Sequence, residues 1–159
     1  MLQKWMNAMA CVLALSMMSA QAAPALRPFD ADSMARIVAG HKGKPFVLVV
    51  WSLDCEYCLT SLDALAQEKA KGRLDVVTLS TDPIEDPQAG ALMRKKLEAV
   101  GMQDNAWAFG AAPPERLRYA IDPKWHGEMP RSYWFDARGE RTAHSGLITP
   151  QMIARFTGR

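Results

Sequence analysis

The chain has 159 residues, about the length of one globular domain. Hydrophobic residues make up 49% and charged residues 23% of it, the composition of an ordinary folded protein. The formal net charge is only +2, and Lys and Arg form no cluster along the sequence. The chain therefore has neither the basic footprint of a nucleic-acid-binding protein nor a polybasic patch for a membrane surface.

The N-terminal segment has the pattern of an export signal. Lys4 is the only charged residue before Arg27, and an apolar run follows it over residues 8–18. Ala20 and Ala22 then fit the small-x-small pattern of signal-peptidase cleavage. The run is about half as long as the roughly 20 apolar residues of a membrane span, so the pattern favours a signal peptide over a spanning helix.

Cleavage would remove residues 1–22 and leave one mature domain, residues 23–159, with no membrane span. It would also remove Cys11, so that Cys55 and Cys58 are the only cysteines of the mature chain. We therefore predict a periplasmic or otherwise exported location, where disulfides persist. The alternative is that the segment is retained, as a short anchor or as an N-terminal core helix.

Helix and strand patterns alternate along the mature chain. Apolar residues at helical spacing predict helices, and short runs of apolar and β-branched residues predict buried strands. The first part of the chain is predicted to have an extended or irregular entry over 23–28, a helix over 32–39 and a strand over 46–51. A helix over 58–71 and a strand over 74–79 follow, and then a loop marked by Asp82-Pro83 and Asp86-Pro87. The remaining elements are a helix over 91–100, an irregular stretch over 102–114 and a short helix over 115–120.

The C-terminal part predicts a β-hairpin followed by a last helix. Strands over 132–136 and 140–145 flank the turn Ala137-Arg138-Gly139. Thr149 is placed to cap the last helix, with Pro150 at its first position. This element order predicts an α/β fold in which a central mixed sheet carries helices on both faces.

Residues 51–58, Trp-Ser-Leu-Asp-Cys-Glu-Tyr-Cys, place a C-x-x-C pair where a buried strand passes into a helix. Cys55 then falls near the helix N-terminus, where free N–H groups and the helix dipole favour a thiolate. A thiolate is the nucleophile in disulfide exchange. Cys58 lies about one turn further on, close enough to attack a mixed disulfide and release the product. The pattern predicts Cys55 as the nucleophile and Cys58 as the resolving cysteine.

Two other uses of a C-x-x-C pair remain open at this stage. A structural zinc site needs four ligands, and the histidines His41, His126 and His144 are scattered without a paired spacing. A purely structural disulfide between Cys55 and Cys58 would close too short a loop to stabilise the chain much. We therefore predict no metal site.

The strand-Trp-x-x-x-Cys-x-x-Cys-helix arrangement resembles thioredoxin-like proteins, and among them the exported bacterial TlpA-like thiol–disulfide oxidoreductases. A second match is Gly127-Glu128-Met129-Pro130, which precedes the predicted hairpin. The resemblance extends over residues 30–156. It implies that Pro130 forms a cis-proline beside the cysteine pair and that Met129 contacts the substrate backbone. An ordinary trans proline that begins an edge strand is the alternative.

Two aromatic residues of the motif are further candidates for substrate binding. The resemblance implies that Trp51 packs under the active site, although a buried Trp is also ordinary core. Tyr57, between the cysteines, is expected on the exposed side of the helix, where it could contact a partner. Trp125, in the loop before Met129, is a weaker candidate for substrate contact, with core packing as the alternative.

The sequence departs from cytosolic thioredoxins in the charges around the pair. Val49 stands where those proteins carry a buried acid, and Asp54 and Glu56 flank Cys55. Anionic neighbours disfavour a thiolate, and a less stabilised thiolate generally means a less oxidising pair. We therefore expect Asp54 and Glu56 to tune the pair towards a reductant or a modest redox carrier. The alternative is that both acids are merely solvated surface charges.

Together these features predict a protein disulfide reductase that needs no organic cofactor or metal. Its expected partners are protein thiols and disulfides and an electron donor or acceptor protein. Two other functions fit the same fold. A copper-handling protein would bind Cu(I) through both thiolates, and a non-catalytic binding module would keep its activity without Cys55.

Overall fold

Residues 26–158 are described by a computed structural model. The predicted signal segment, residues 1–22, lies outside this range. The elements in chain order are β1 (Arg27–Phe29), α1 (Ser33–Gly40), β2 (Phe46–Trp51), α2 (Glu56–Ala70), β3 (Asp75–Pro83), α3 (Pro87–Ala99), β4 (Ala106–Phe109), α4 (Pro114–Ile121), β5 (Arg131–Phe135), β6 (Arg141–Ser145) and α5 (Pro150–Thr157).

The strands form one mixed sheet in the order β1-β4-β3-β2-β5-β6. The pairs β1–β4, β4–β3 and β3–β2 are parallel, whereas β5 runs antiparallel to both β2 and β6. The predicted mixed sheet is thereby confirmed. Because β2 and β3 end at the edge of the sheet where β5 begins, the segments that follow β2 and precede β5 meet at that edge.

Strand β2 is buried along its whole length and divides the core in two. Its alternate residues Val47, Val49 and Trp51 face one apolar cluster, and Phe46, Leu48 and Val50 face the other. Helices α2, α3 and α5 contribute to the first cluster, through Leu62, Leu65, Met93, Leu97 and Ile153. Helices α1 and α4 contribute to the second, through Ile37, Leu117 and Ile121. The helices therefore cover both faces, as predicted.

The sequence reading was wrong in two places along the sheet. The stretch predicted as irregular, residues 102–114, contains the strand β4, and Asp82-Pro83 belongs to β3 instead of a loop. Strand β4 has only four residues, Ala-Trp-Ala-Phe, so it shows too little of a strand pattern to be predicted alone. Parallel pairing with β3 on one side and β1 on the other establishes it.

Helix α3 begins earlier than the apolar pattern suggested, because a capping residue sets its start. The Asp86 carboxylate accepts hydrogen bonds from the N–H groups of Gln88 and Ala89, so α3 begins at Pro87, four residues before the predicted start. Thr149 caps α5 by accepting from the Met152 N–H, as predicted. Among residues 26–158, no helix combines the length and the apolar character needed to cross a membrane.

Candidate active site

Cys55 is the N-cap residue of α2. Its backbone is extended, its carbonyl accepts from the N–H groups of Cys58 and Leu59 at 3.0 and 3.1 Å, and its sulfur lies 3.2 Å from the Cys58 nitrogen. The helix thus begins at Glu56, two residues earlier than predicted. This position brings the Cys55 sulfur to the positive end of the helix dipole, where a thiolate is stabilised.

Cys55 and Cys58 are joined by a disulfide, with their Cα atoms 5.1 Å apart. The two cysteines differ in accessibility. Cys58 is completely buried in the cluster that also contains Trp51 and Leu62, whereas Cys55 is only partly buried at its edge. A bulky reagent or a protein can therefore reach Cys55 and not Cys58.

The loop before the pair is held by an acid that the sequence analysis missed. The Leu53 N–H donates to Asp82 Oδ2 at 2.9 Å, and the buried Ser80 hydroxyl donates to the same oxygen at 2.7 Å. These bonds fix the backbone two residues before Cys55 to the end of β3. The only sequence signal for this contact was an acidic residue at a strand end, because Leu53 and Asp82 lie 29 positions apart in the sequence.

The candidate residues around the cysteines divide into surface and core. Tyr57 is 66% exposed, and Asp54 and Glu56 are exposed on either side of Cys55. Trp51 has no exposed surface and lies in the same apolar cluster as Cys58, so it presents no surface to a partner. Trp125 is likewise buried, and its indole N–H donates to the Glu128 carbonyl at 2.9 Å.

The Met129-Pro130 segment lies at the same sheet edge as the cysteine pair. Val50 pairs with Arg131 in the β2–β5 register, which places Pro130 next to Trp51. The Met129–Pro130 peptide bond is cis. The Thr81 hydroxyl lies 3.5 Å from the Trp51 carbonyl oxygen and 3.8 Å from the Met129 sulfur, so β3 also contributes to this edge.

A nearly buried ion pair lies directly behind the proline. The Arg131 guanidinium donates to Asp122 Oδ2 at 3.1 Å, and the side chains of these residues are 13% and 7% exposed. Arg141 also approaches Asp122, at 3.8 Å, and the two arginines lie against the ring of Tyr133 with their Cζ atoms 5.1 and 5.0 Å from its centroid. None of these contacts was predicted from the sequence.

The contacts of Asp122 lower the pKa of its carboxyl group. Burial alone would raise the pKa of Asp122, but hydrogen bonds from the Lys124 N–H and from Arg131, with the charge of Arg141, outweigh it, and the pKa lies below its usual value. Burial raises the pKa of the neighbouring Tyr133 to about 12. Asp122 is therefore held as a carboxylate against its arginine partners.

Metal ligands do not gather at this site or elsewhere in the described range. Among residues 26–158, no three His, Cys, Asp or Glu side chains lie close enough together to hold a metal ion.

Solved structures with the same fold include thiol–disulfide oxidoreductases. A secreted Mycobacterium tuberculosis disulfide oxidoreductase homologous to E. coli DsbE is 19% identical, with a TM-score of 0.56 over 76% of this chain and 84% of that one. A DsbF homologue from Corynebacterium diphtheriae is 17% identical, with a TM-score of 0.59 over 76% and 74%. The thiol:disulfide interchange protein of Chlorobium tepidum is 19% identical, with a TM-score of 0.55 over 87% and 97%.

These similarities confirm the predicted thioredoxin-like fold. No family model matches the sequence, and no similar sequence was found among curated proteins. The chain thus has a thioredoxin-like fold that carries a C-x-x-C pair joined as a disulfide.

Replacing Asp122 with Asn tests the ion pair. Arg131 would keep its nearly buried charge without the full countercharge, so the free energy of unfolding at pH 7 should fall by roughly 2–4 kcal/mol. Because the pKa of Asp122 is lowered on folding, its contribution is complete above about pH 4 and is lost as the pH falls through the folded-state pKa. Urea unfolding of both proteins across this range should therefore show a difference that shrinks with acid.

Asp104→Asn is the matched control. Asp104 is 60% exposed and pairs with Lys69 at 3.2 Å, so its loss should change stability by less than about 1 kcal/mol. A difference between wild type and Asp122→Asn that stays constant down to acid pH would contradict the assignment.

Proposed function

We propose that this protein is an exported thiol–disulfide oxidoreductase that exchanges disulfides with partner proteins and acts as a reductant or redox carrier. The observation that carries the proposal is the asymmetry of the pair: a partly exposed Cys55 at the start of α2 is bonded to a fully buried Cys58. A structural disulfide has no need of an accessible sulfur at a helix N-terminus. An exchanging pair needs one sulfur to meet the partner and one to release it.

In the reducing direction, the thiolate of Cys55 attacks one sulfur of a partner disulfide. A bond forms between Cys55 Sγ and that sulfur, and the other partner sulfur leaves as a thiolate. The thiolate of Cys58 then attacks Cys55 Sγ, which restores the Cys55–Cys58 disulfide and releases the second partner thiolate. Two electrons have passed to the partner, and a donor dithiol must return them for the next turnover.

The Met129-Pro130 segment is the proposed docking site for the partner's extended chain. Among residues 26–158, no backbone hydrogen bond uses the N–H or the carbonyl of Met129. Backbone groups left without a partner can pair with an extended chain, as in strand addition. Tyr57, exposed next to Cys55, would add an aromatic contact, and Trp51 would support the site from below.

The proposed reducing character rests on the charges near the pair. The strand position where cytosolic thioredoxins carry a buried acid is the apolar, fully buried Val49. Asp54 and Glu56 put two exposed carboxylates beside Cys55, and these oppose the effect of the helix dipole on its thiolate. Such a pair holds its electrons less tightly and donates them more readily.

Export is proposed from the signal pattern of residues 1–22. One of the structurally similar proteins supports this proposal, since the Mycobacterium tuberculosis disulfide oxidoreductase is secreted. In an oxidising compartment the pair would need a continuous supply of electrons from a donor protein to stay reducing.

A Cys58→Ala variant tests the exchange itself. Without the resolving thiol, the mixed disulfide at Cys55 cannot be released, so reduced Cys58→Ala incubated with insulin should accumulate a covalent adduct that dithiothreitol dissolves. Non-reducing electrophoresis and mass spectrometry would locate the adduct on Cys55. The double variant Cys55→Ala/Cys58→Ala is the control and should form none. If Cys58→Ala also stays free of adducts, the proposed function is wrong.

A double variant, Asp54→Asn/Glu56→Gln, tests the tuning. Removing two exposed charges of this kind should make the pair more oxidising by roughly 10 to 30 mV, and the change should shrink at high salt. Equilibration with glutathione buffers measures the potential. The matched control, Glu98→Gln/Glu140→Gln, removes two exposed acids near the opposite edge of the sheet and should leave the potential unchanged. An equal potential in all three proteins would show that Asp54 and Glu56 are bystanders.

A further inference from the structure

Arg131 connects the buried ion pair to the segment before the proline. Besides Asp122, its guanidinium donates to Glu128 Oε1 at 3.1 Å and to the Ser145 hydroxyl at 2.6 Å. The Ser145 hydroxyl donates in turn to Glu128 Oε1 at 2.7 Å. One planar guanidinium therefore joins the end of α4, the Glu128 side chain and the end of β6.

The two ends of the segment 128–130 are thereby fixed from several directions. At one end, the Glu128 carbonyl accepts from the buried Trp125 indole while its carboxylate accepts from Arg131. At the other end, the Pro130 carbonyl accepts from the Gly146 N–H at 2.8 Å. Gly146 has a φ of +103°, which L side chains rarely adopt, and this conformation follows directly after β6.

Met129 lies between these two anchored ends. Its side chain packs against both apolar clusters, and its backbone N–H and carbonyl make no backbone hydrogen bond within the described range. The flanks are therefore held by the protein while the central backbone groups stay available. A site held in this way meets its partner with little further loss of conformational entropy.

Arg141 provides a comparison within the same cluster. Like Arg131, it reaches Asp122 and lies against Tyr133, and it also donates to the Ile121 carbonyl at 3.0 Å. Within residues 26–158, Arg141 makes no hydrogen bond or ion pair with Glu128 or Ser145. Both arginines thus contact Asp122 and Tyr133. Of the two, only Arg131 also bonds to Glu128, the first residue of the segment 128–130.

We propose that Arg131 is a positioning residue for substrate docking: it holds the segment 128–130 so that the Met129 backbone is open to an extended partner chain. This inference rests on the proposed function. Arg131 acts through the segment and not on the sulfur atoms, so it should govern how a protein substrate binds and leave the chemistry of the cysteine pair unaltered.

Kinetics of Arg131→Gln test the proposal. For reduction of insulin, KM should rise about five- to tenfold with a smaller change in kcat, because the docking segment is no longer held. For oxidised glutathione, a small disulfide that needs little docking, the rate should stay within about twofold of wild type. The reduction potential of the pair should not change.

Arg141→Gln is the matched control, since it disturbs the same cluster without touching the segment. It should lower thermal stability and leave KM for insulin unchanged. Arg131→Lys keeps the charge but cannot span Asp122, Glu128 and Ser145 together, so its KM should lie between those of wild type and Arg131→Gln. This milder variant also serves if Arg131→Gln does not fold.

The experiment distinguishes a failure of the inference about Arg131 from a failure of the proposed function. An unchanged KM for insulin in Arg131→Gln, or in Arg131→Lys if only that protein folds, overturns the proposal. So does an equal rise in KM in Arg141→Gln, or an equal loss with insulin and with glutathione, because each indicates general destabilisation. If wild type itself fails to reduce insulin, it is the proposed function that fails, and the inference about Arg131 fails with it.

Discussion

The pairing of β5 with β2 is the constraint on which the site depends. It opposes Val50 to Arg131 and so places Pro130 beside Trp51, at the sheet edge where the chain continues to Cys55. Strand side chains alternate between faces, and a slip of one residue would send every side chain of β5 to the other face. Such a slip would move Trp134 out of the first apolar cluster and Tyr133 and Phe135 out of the second. The packing of these side chains against the buried strand β2 therefore fixes the register.

The same register places a charge in a nearly buried position. Arg131 begins β5, so its guanidinium enters the region behind the proline, where an unpaired charge would be costly. Asp122 neutralises it, and Glu128 and Ser145 accept hydrogen bonds from its Nη1. A buried ion pair contributes little net stability compared with apolar packing, but it enforces one geometry. In this protein the geometry enforced is that of the segment next to the disulfide.

The sequence predicted the parts of the site that depend on local pattern. Cys55 at a helix start, the hairpin after Pro130 and the Thr149 cap all follow from spacing within a few residues. The contacts of Asp82 with Leu53 and of Arg131 with Ser145 join residues 29 and 14 positions apart, and nothing near either residue indicates its partner. Strand β4 was missed for the same reason, since its pairing with β1 and β3 defines it.

The central claim is that Cys55 and Cys58 exchange disulfides with external thiols. The most direct measurement is the oxidised fraction of the pair in a series of glutathione or dithiothreitol redox buffers, read after acid quenching and alkylation. We predict a reversible two-electron transition whose potential is well below the roughly −120 mV of strongly oxidising periplasmic proteins. A pair that does not equilibrate with these buffers, and stays oxidised while the protein remains folded, would contradict the claim.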